Sequence, residues 1–305
     1  MTPAPHAFFL PARPPSLGQR FCIFHAASDG PVRGRVVYIH PFAEEMNKSR
    51  RMAALQSRAL ATAGFSVLQI DLYGCGDSSG EFGDAGWDDW VTDVMLAVDW
   101  LSERDTAHAE APLWLWGLRA GCLIACQAAT KLKVPSNFCF WQPAISGKLI
   151  LQQFLRLKLA ADMLGGNSKG MMDEMKRALA QGQALEIAGY SLSAALATGL
   201  ENATLSPPGF VASPATMAAA NTSNIARVEW FELSQRADAK LTPATEQGLK
   251  NWQAATAQVR HSWVHGPSFW QTQEIEEAPE LLAMTTTALQ PLSAAVSMPS
   301  PASGA

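Results

Sequence analysis

Arg119 occupies the position at which the spacing of the flanking glycines predicts a nucleophilic residue. An apolar run at 113–116 leads into the pentapeptide 117–121, Gly-Leu-Arg-Ala-Gly, and then into a stretch of small residues. A strand, a Gly-x-Ser-x-Gly turn and a helix form a nucleophile elbow, and here Arg119 replaces the serine. A guanidinium stays protonated and cannot attack a carbonyl carbon. The motif therefore predicts the sharp turn of an elbow and argues against serine chemistry.

Strands and helices are predicted to alternate along most of the chain. Apolar or β-branched runs predict strands at 8–10, 21–25, 35–40, 65–72, 113–116, 137–141, 228–233 and 259–264. Apolar residues at helical spacing predict helices at 47–63, 87–101, 120–131, 245–256 and 276–289. This order predicts an α/β fold with a mostly parallel central sheet that helices cover on both faces.

One segment, at about 147–224, interrupts the alternation. It is predicted to be helical and is rich in methionine. We interpret it as a cap inserted over the site, whose methionines form an adaptable apolar lid or serve as ordinary core residues. Residues 290–305 carry no charge and are rich in Pro, Ser and Ala, which predicts a disordered tail. Residues 1–289 are thus expected to form one domain.

Three blocks of sequence carry a resemblance to known proteins. His-Pro after the third strand, the 71–80 block Asp-Leu-Tyr-Gly-Cys-Gly-Asp-Ser-Ser-Gly and the elbow resemble the α/β-hydrolase superfamily over about 20–285. More narrowly, blocks 40–52, 71–80 and 266–272 resemble the second hydrolase-type family associated with exosortase A. Those proteins occur in bacteria that pair protein sorting with exopolysaccharide production. This resemblance implies a fold and a setting but no particular activity.

The superfamily resemblance assigns three triad positions. The nucleophile position is Arg119, and the segment that normally ends in the base histidine places Phe269 at the base position. Asp238, five residues past Leu233, is a possible remnant of the acid, whereas Glu232 is less favoured because it lies inside a strand. Loss of the nucleophile or the base leaves only about 10³–10⁴-fold acceleration over water.

The oxyanion hole is expected to survive because its donors are backbone N–H groups. Ala120 should supply one donor, and Phe42 or Ala43 the other. Such a hole could hold a carboxylate, phosphate or sulfate, with the planar fork of Arg119 as an additional donor.

A second interpretation makes the arginine structural. Arg119 is then neutralised by Glu44, Glu45 or Asp77, because an unpaired buried charge is very costly. The sequence favours this internal pair without excluding the anion site. The charged block 44–51 is correspondingly either a solvated helix start with internal ion pairs, or a polar rim or docking patch.

Five further side chains are candidates for chemistry. Ser78 is expected to structure its loop, and Cys122 to pack as a small residue, although a helix start favours a thiolate. His265 is the nearest substitute base by sequence. His40 is expected to orient a loop, and His261 to be a surface or hydrogen-bonded core residue.

Composition narrows the classes of function. The chain has 305 residues and a net charge of −4, so it offers no basic field for nucleic acid. Its five scattered cysteines are typical of reduced thiols in a cytoplasmic protein. No run approaches a membrane span, and the first residues do not resemble a signal peptide. The absence of metal-ligand spacing and of a P-loop predicts no metal and no cofactor.

Two functions remain open. The first is a pseudohydrolase that binds a small anionic or acylated ligand, or a protein partner, in exopolysaccharide or sorting physiology. The second is an active ester or thioester hydrolase or acyltransferase that uses a nonstandard nucleophile such as Ser78 or Cys122, with His265 as the base. A pure interaction scaffold would be favoured if the cap left no cavity.

Overall fold

An eight-stranded sheet forms the centre of the protein, which confirms the predicted fold class. The computed structural model describes residues 3–14, 16–28, 30–104, 110–163, 170–209, 225–256 and 258–291. The strands of this sheet are β1 (His6–Pro11), β2 (Gln19–His25), β3 (Gly34–Ile39), β4 (Phe65–Ile70), β5 (Leu113–Leu118), β6 (Ser136–Trp141), β9 (Ile225–Ser234) and β10 (Val259–His265). Their spatial order is β1-β2-β4-β3-β5-β6-β9-β10.

The sheet is parallel from β4 to β10. Strand β2 runs antiparallel to both of its neighbours, β1 and β4. All the other adjacent pairs are parallel. Because the carboxyl ends of parallel strands lie at one edge, the loops that follow β3, β5, β9 and β10 meet there.

Helices cover both faces of the sheet. They are α1 (Glu44–Thr62), α2 (Trp87–Arg104), α3 (Gly121–Ala129), α7 (Pro243–Ala255) and α8 (Pro279–Leu289). The alternation of side chains along β5 shows the two layers. Leu115 packs in the apolar cluster that contains α2, α3 and α7, whereas Trp114 and Trp116 pack in the cluster that contains α1 and α8.

Two helices, α1 and α8, begin three residues away from their predicted starts. Helix α1 starts at Glu44 rather than near residue 47, because Ala43 turns the chain at φ 49° and two glutamates then occupy the first turn. Acidic residues are favourable there, beside the positive end of the helix. Helix α8 starts at Pro279 rather than 276, since proline suits the first helical position.

The insertion between β6 and β9 is not helical throughout. It contains α4 (Gly147–Met163), α5 (Met171–Ala180), a hairpin of β7 (Leu185–Ile187) and β8 (Tyr190–Leu192), and α6 (Ala194–Asn202). The all-helical prediction is wrong at the hairpin, where Ala188 and Gly189 both adopt positive φ in a two-residue turn. The 164–169 and 210–224 parts of the predicted cap, and the predicted tail from 292, lie outside the described residues.

The methionines of α5 pack against the main core. Met175 is buried, and Met171 and Met172 pack on the same apolar cluster. These contacts are those of ordinary core residues. Over the described ranges, no helix is both long and apolar enough to cross a bilayer.

Candidate functional site

The turn between β5 and α3 has the backbone of a nucleophile elbow. Arg119 adopts φ 55°, a left-handed conformation that costs a residue with a side chain roughly 1–2 kcal/mol. Its N–H donates to the carbonyl of Trp141 (3.0 Å), and its carbonyl accepts from the N–H of Cys122 (3.2 Å). The strained geometry that would present a catalytic serine is therefore retained under an arginine.

The two glycines of the pentapeptide are required by close backbone contacts. A Cβ at Gly117 would lie 2.6 Å from the nitrogen of Cys122, and one at Gly121 would lie 2.3 Å from the carbonyl oxygen of Ile39. Real Cβ atoms do not approach other atoms this closely, so any larger residue would force the elbow open.

The guanidinium of Arg119 is held by side chains from three other elements. Its Nε donates to Glu45 Oε1 on α1 (3.3 Å), and its Nη2 donates to Gln153 Oε1 on α4 (3.2 Å). Its Cζ lies 5.7 Å from the ring centroid of Trp270, in cation–π range. The Arg119 side chain is 13% exposed and that of Glu45 is 11% exposed. The arginine is thus paired inside the protein.

Of the three carboxylates considered as partners, Glu45 makes the ion pair. Glu44 is half-buried beside it, and Asp77 is exposed in the loop after β4. Burial raises the pKa of Glu45 to about 7, and Glu44 adds to the rise. Arg119 and the nearby Gln271 act in the opposite direction. Glu45 is therefore a carboxyl group whose ionisation is in balance near neutral pH.

The residue that contacts Arg119 in the loop after β10 is Trp270, not Phe269. The Phe269 ring is fully buried, with its centroid 6.1 Å from that of Trp141 and 5.1 Å from that of Trp270. Phe269 thus belongs to the core beneath the loop. Neither side chain can accept a proton from a nucleophile, so the absence of a base at this position does not depend on which residue is aligned with it.

Both candidate acids line one cavity with Arg119. Asp238 is exposed and pairs with Arg236 (3.1 Å), a contact that lowers its pKa. Glu232 is buried and accepts from Trp230 Nε1 (2.9 Å). Burial raises the pKa of Glu232, although Arg119 and Gln142 favour its charged form. Of the two candidate acids, Glu232, which the sequence favours less, is the one whose pKa the charge of Arg119 lowers against the effect of burial.

The three candidate histidines, His40, His261 and His265, are bonded elsewhere, packed on an aromatic ring or exposed. His40 is buried, and burial lowers its pKa, which favours the neutral imidazole. Its Nδ1 donates to the carbonyl of Pro41 (2.8 Å), and its Nε2 accepts from the N–H of Leu72 (3.2 Å). His261 stacks its edge on Trp263 at 5.7 Å. His265 is exposed at the end of β10.

The two candidate nucleophiles, Ser78 and Cys122, both have structural roles. Ser78 Oγ donates to the carbonyl of Asp71 (2.5 Å) and accepts from the N–H of Phe21 (2.9 Å). Cys122 is fully buried, and burial raises its pKa well above the ordinary value. A thiol in that environment is not a thiolate at neutral pH.

The expected oxyanion donors lie on either side of the elbow. Ala43 adopts positive φ immediately before α1, and Ala120 immediately precedes α3. Within the described ranges, the backbone N–H groups of Phe42, Ala43 and Ala120 donate to no protein acceptor. Over the same ranges, no group of three or more His, Cys, Asp or Glu side chains is arranged to hold a metal ion.

Two cavities near Arg119 adjoin along α4. The Phe42 cavity, about 310 Å³, is bordered by Phe42, Glu45 and Trp270. The Glu232 cavity, about 700 Å³, is bordered by Arg119 and Glu232. Gln153 lines both. The Arg119–Glu45 pair and Gln153 therefore lie between two spaces of the size that small ligands occupy.

Sequence reasoning did not identify Gln153 and Trp270. Gln153 lies among the apolar positions Ile150, Phe154 and Leu157 of α4. A polar residue on that apolar face could have indicated a contact with the site. Trp270 differs from the predicted position by one residue in a loop without periodicity.

Comparisons with known proteins agree with this architecture. The family model described as serine aminopeptidase, S33, matches residues 30–193, more than half of the chain. Protein ABHD12B of Homo sapiens is 33% identical over 118 residues, which are 38% of this chain and 30% of that protein. The chain thus spans under a third of the length of this curated relative.

Solved structures share the fold at low identity. Est1E from Butyrivibrio proteoclasticus with ferulic acid bound has a TM-score of 0.58 and 16% identity, over 89% of this chain and 93% of that one. A soluble variant of monoglyceride lipase from Saccharomyces cerevisiae, in complex with a substrate analogue, has a TM-score of 0.59 and 16% identity, over 94% and 96%. At these identities the likeness concerns the fold alone.

Proposed function

Because the chain belongs to the serine aminopeptidase S33 family and carries an arginine at its elbow, we propose that it is a pseudohydrolase that binds an acylated ligand without reacting with it. The single observation that carries this proposal is the position of Arg119. It occupies the left-handed residue of the turn, at φ 55°, and its side chain is held by Glu45 and Gln153. An attacking group would have to stand at that same position.

The alternative, an active enzyme with a nonstandard nucleophile, has less support. Ser78 makes two hydrogen bonds that organise its loop, and Cys122 lies in the core. Among the residues that the structure describes, neither side chain is hydrogen-bonded to a histidine, whereas an activated nucleophile needs a neighbouring base.

An acylated ligand is favoured over an anionic one. The guanidinium of Arg119 is already paired with Glu45, so an anion would have to displace a buried carboxyl group. The Phe42 cavity, in contrast, offers apolar walls beside unused backbone donors.

The proposed setting is the cytoplasmic side of an exosortase and exopolysaccharide system. It is supported by the resemblance of blocks 40–52, 71–80 and 266–272, two of which supply contacts of Arg119 through Glu45 and Trp270. All five cysteines are buried free thiols, as expected in a reducing compartment. A protein partner remains compatible with this proposal.

The test is labelling with a fluorophosphonate probe, followed by mass-spectrometric mapping. The proteins are the native chain, Arg119→Ser and the matched variant Arg119→Ala, which lacks the new hydroxyl. We expect no labelling of any of the three, because restoring a serine does not restore a base. Site-specific labelling of the native chain would overturn the proposal. Labelling of Arg119→Ser alone would show that a base still serves the elbow, which would contradict the expected loss of the base and leave Arg119 as the sole reason that the native chain does not react.

A further inference from the structure

Strand β10 is the last strand in the order of the central sheet, where it pairs with β9 over all seven of its residues without a bulge. Two bonds bracket this ladder. The N–H of Val228 donates to the carbonyl of Gln258 (2.9 Å), and the N–H of Gly266 donates to the carbonyl of Ser234 (3.3 Å). Because bonding residues alternate in a parallel ladder, the even-numbered residues of β10 bond to β9. The odd-numbered residues direct their N–H and C=O groups away from the sheet, and they are Val259, His261, Trp263 and His265.

The backbone of this edge is open to pairing. Within the described part of the chain, the outward N–H and C=O groups of the four residues have no protein partner. Such a row is a template for another strand, and sheet edges are normally protected from this by proline, by lysine or by a bulge. The opposite edge, β1, follows Pro5 and ends at Pro11. Strand β10 has neither proline nor lysine, so it lacks the features that keep strands apart.

The side chains of β10 do not protect the edge either. Arg260, its one residue with a permanent charge, turns back over the sheet, where its Nη2 donates to Glu229 Oε1 (2.6 Å) and to the carbonyl of Ala288 (3.0 Å). Trp263 is 38% exposed, and its ring meets that of His261 edge to face at 5.7 Å. The open edge therefore carries aromatic surface that a second strand would cover.

The spacing of the outward groups fits a second copy of the same strand. In an antiparallel pair with Ser262 opposite Ser262, His261 lies opposite Trp263 and Val259 lies opposite His265. Each of these pairs exchanges two hydrogen bonds, so this register uses every outward group of both strands. A register centred on residue 261 or on residue 263 matches only three of the four outward residues.

We infer that β10 pairs antiparallel with β10 of a second copy, about a two-fold axis at Ser262, and joins the two eight-stranded sheets into one. Each His261 then lies across from Trp263 of the other copy, and aromatic cross-strand pairs stabilise antiparallel ladders. The contact is self-complementary, so it closes a dimer. Because Trp263 borders the Glu232 cavity, the second copy adds His261 beside the wall of that cavity. The inference is independent of the proposed function, since it requires no ligand.

Disulfide trapping tests the register. Ser262→Cys places two thiols at the two-fold axis, where the Cα atoms of a non-hydrogen-bonded pair are about 4.5 Å apart, within reach of a disulfide. The five native cysteines are buried free thiols and do not compete. Oxidised glutathione should therefore link Ser262→Cys into a dimer on a non-reducing gel. The matched controls are His261→Cys, which lies opposite Trp263, and Phe9→Cys, exposed on β1, and neither should be linked.

Analytical ultracentrifugation tests the dimer itself. The mass of the native chain should rise from 32.8 kDa toward twice that value as its concentration is raised. Trp263→Lys removes two aromatic pairs from each dimer and should raise the dissociation constant about tenfold, whereas Trp263→Phe keeps a ring and should change it less than about twofold. Circular dichroism checks that both variants fold.

Three outcomes would overturn the inference. A native chain that stays at 32.8 kDa at every concentration would leave the edge to an extended segment of another protein. Linkage of His261→Cys or Phe9→Cys in place of Ser262→Cys would show that the contact uses another register or the β1 edge. A dissociation constant that Trp263→Lys leaves unchanged would place the contact away from β10.

Discussion

Two buried arginine–carboxylate pairs differ in how many oxygens of the carboxylate are hydrogen-bonded. Arg20 Nε lies 2.6 Å from Asp93 Oδ1, with both side chains at 0–1% exposure, and Asp93 Oδ2 accepts from the N–H of Tyr73 at 2.7 Å. Arg119 Nε lies 3.3 Å from Glu45 Oε1, and Glu45 Oε2 has no partner. The first pair uses both oxygens of its carboxylate, and the second uses one.

The difference follows from what each pair connects. Arg20 and Asp93 tie β2 to α2, and the guanidinium also lies 4.6 Å from the ring centroid of Tyr73. Arg119 and Glu45 tie the elbow to α1 between two cavities. A buried carboxylate is stabilising only when its charge and its oxygens have partners, so the carboxylate of the elbow pair is the less fully compensated of the two.

The largest expected effect comes from breaking the Arg20–Asp93 pair. Asp93→Ala leaves a fully buried guanidinium without its counter-charge and should lower the free energy of unfolding by about 3–5 kcal/mol. Urea unfolding followed by circular dichroism measures this. Burial raises the pKa of Asp93 to about 6, so the comparison is made at pH 8, where the native carboxylate is ionised.

Asp99→Ala is the matched control on the same helix. Asp99 pairs with Arg13 at the surface, and both side chains are about half exposed. Its loss should cost less than about 1 kcal/mol. Equal costs for the two variants would show that burial does not distinguish the pairs.

The second effect concerns pH and the Arg119–Glu45 pair. The pKa of Glu45 is about 7 in the folded protein, above the ordinary 4.5. Between these values the folded chain holds a proton that the unfolded chain has released. The stabilisation from this proton is therefore complete below about pH 4.5 and is lost as the pH rises through 7, on the order of 3 kcal/mol in total. Glu45→Gln cannot titrate, so the native chain should lose stability relative to this variant from pH 5 to pH 8.

Urea unfolding at intervals of one pH unit measures this difference. Glu280→Gln, on the exposed start of α8, is the control, and its difference from the native chain should change little over the range. A difference between the native chain and Glu45→Gln that is constant with pH would mean that Arg119 keeps Glu45 ionised throughout.

Local patterns predicted most of the fold. The apolar runs that became β3, β5 and β9 and the glycines of the elbow each act through neighbours in sequence, so the order of strands and helices could be read directly. The hairpin at 185–192 was missed because its strands have three residues each, too few to show a period.

The candidate site was predictable only where the elbow motif fixes it. Arg119 and the neighbouring acidic residues follow from the motif, but the choice of Glu45 over Glu44 depends on the rotation of α1, which Ala43 sets by its positive φ. Gln153 and Trp270 reach the arginine from α4 and from the loop after β10. Packing between segments that are distant in the sequence decides which side chain α4 and this loop present to Arg119. No local sequence pattern predicts that choice.

The smallest expected effect separates the backbone of the elbow from its charge. Arg119→Gly and Arg119→Ala both remove the guanidinium, but only glycine adopts φ 55° without strain. We expect Arg119→Gly to be more stable than Arg119→Ala by about 0.5–1 kcal/mol, after allowing for the greater freedom of glycine in the unfolded chain. Urea unfolding of the two variants measures this.

The same exchange at Arg58, exposed within α1, should have the opposite sign. Glycine is less favourable than alanine in a helix interior by about 1 kcal/mol, so Arg58→Gly should be the less stable of that pair. If the stability difference between the glycine and alanine variants has opposite signs at positions 119 and 58, the backbone of the elbow is strained whatever side chain it carries. If glycine were the worse residue at both positions, the strain at 119 would be absent, and the case that this turn is a nucleophile elbow without its nucleophile would fail. The two buried pairs would then differ in their hydrogen bonds alone, because the backbone at Arg119 would not be strained.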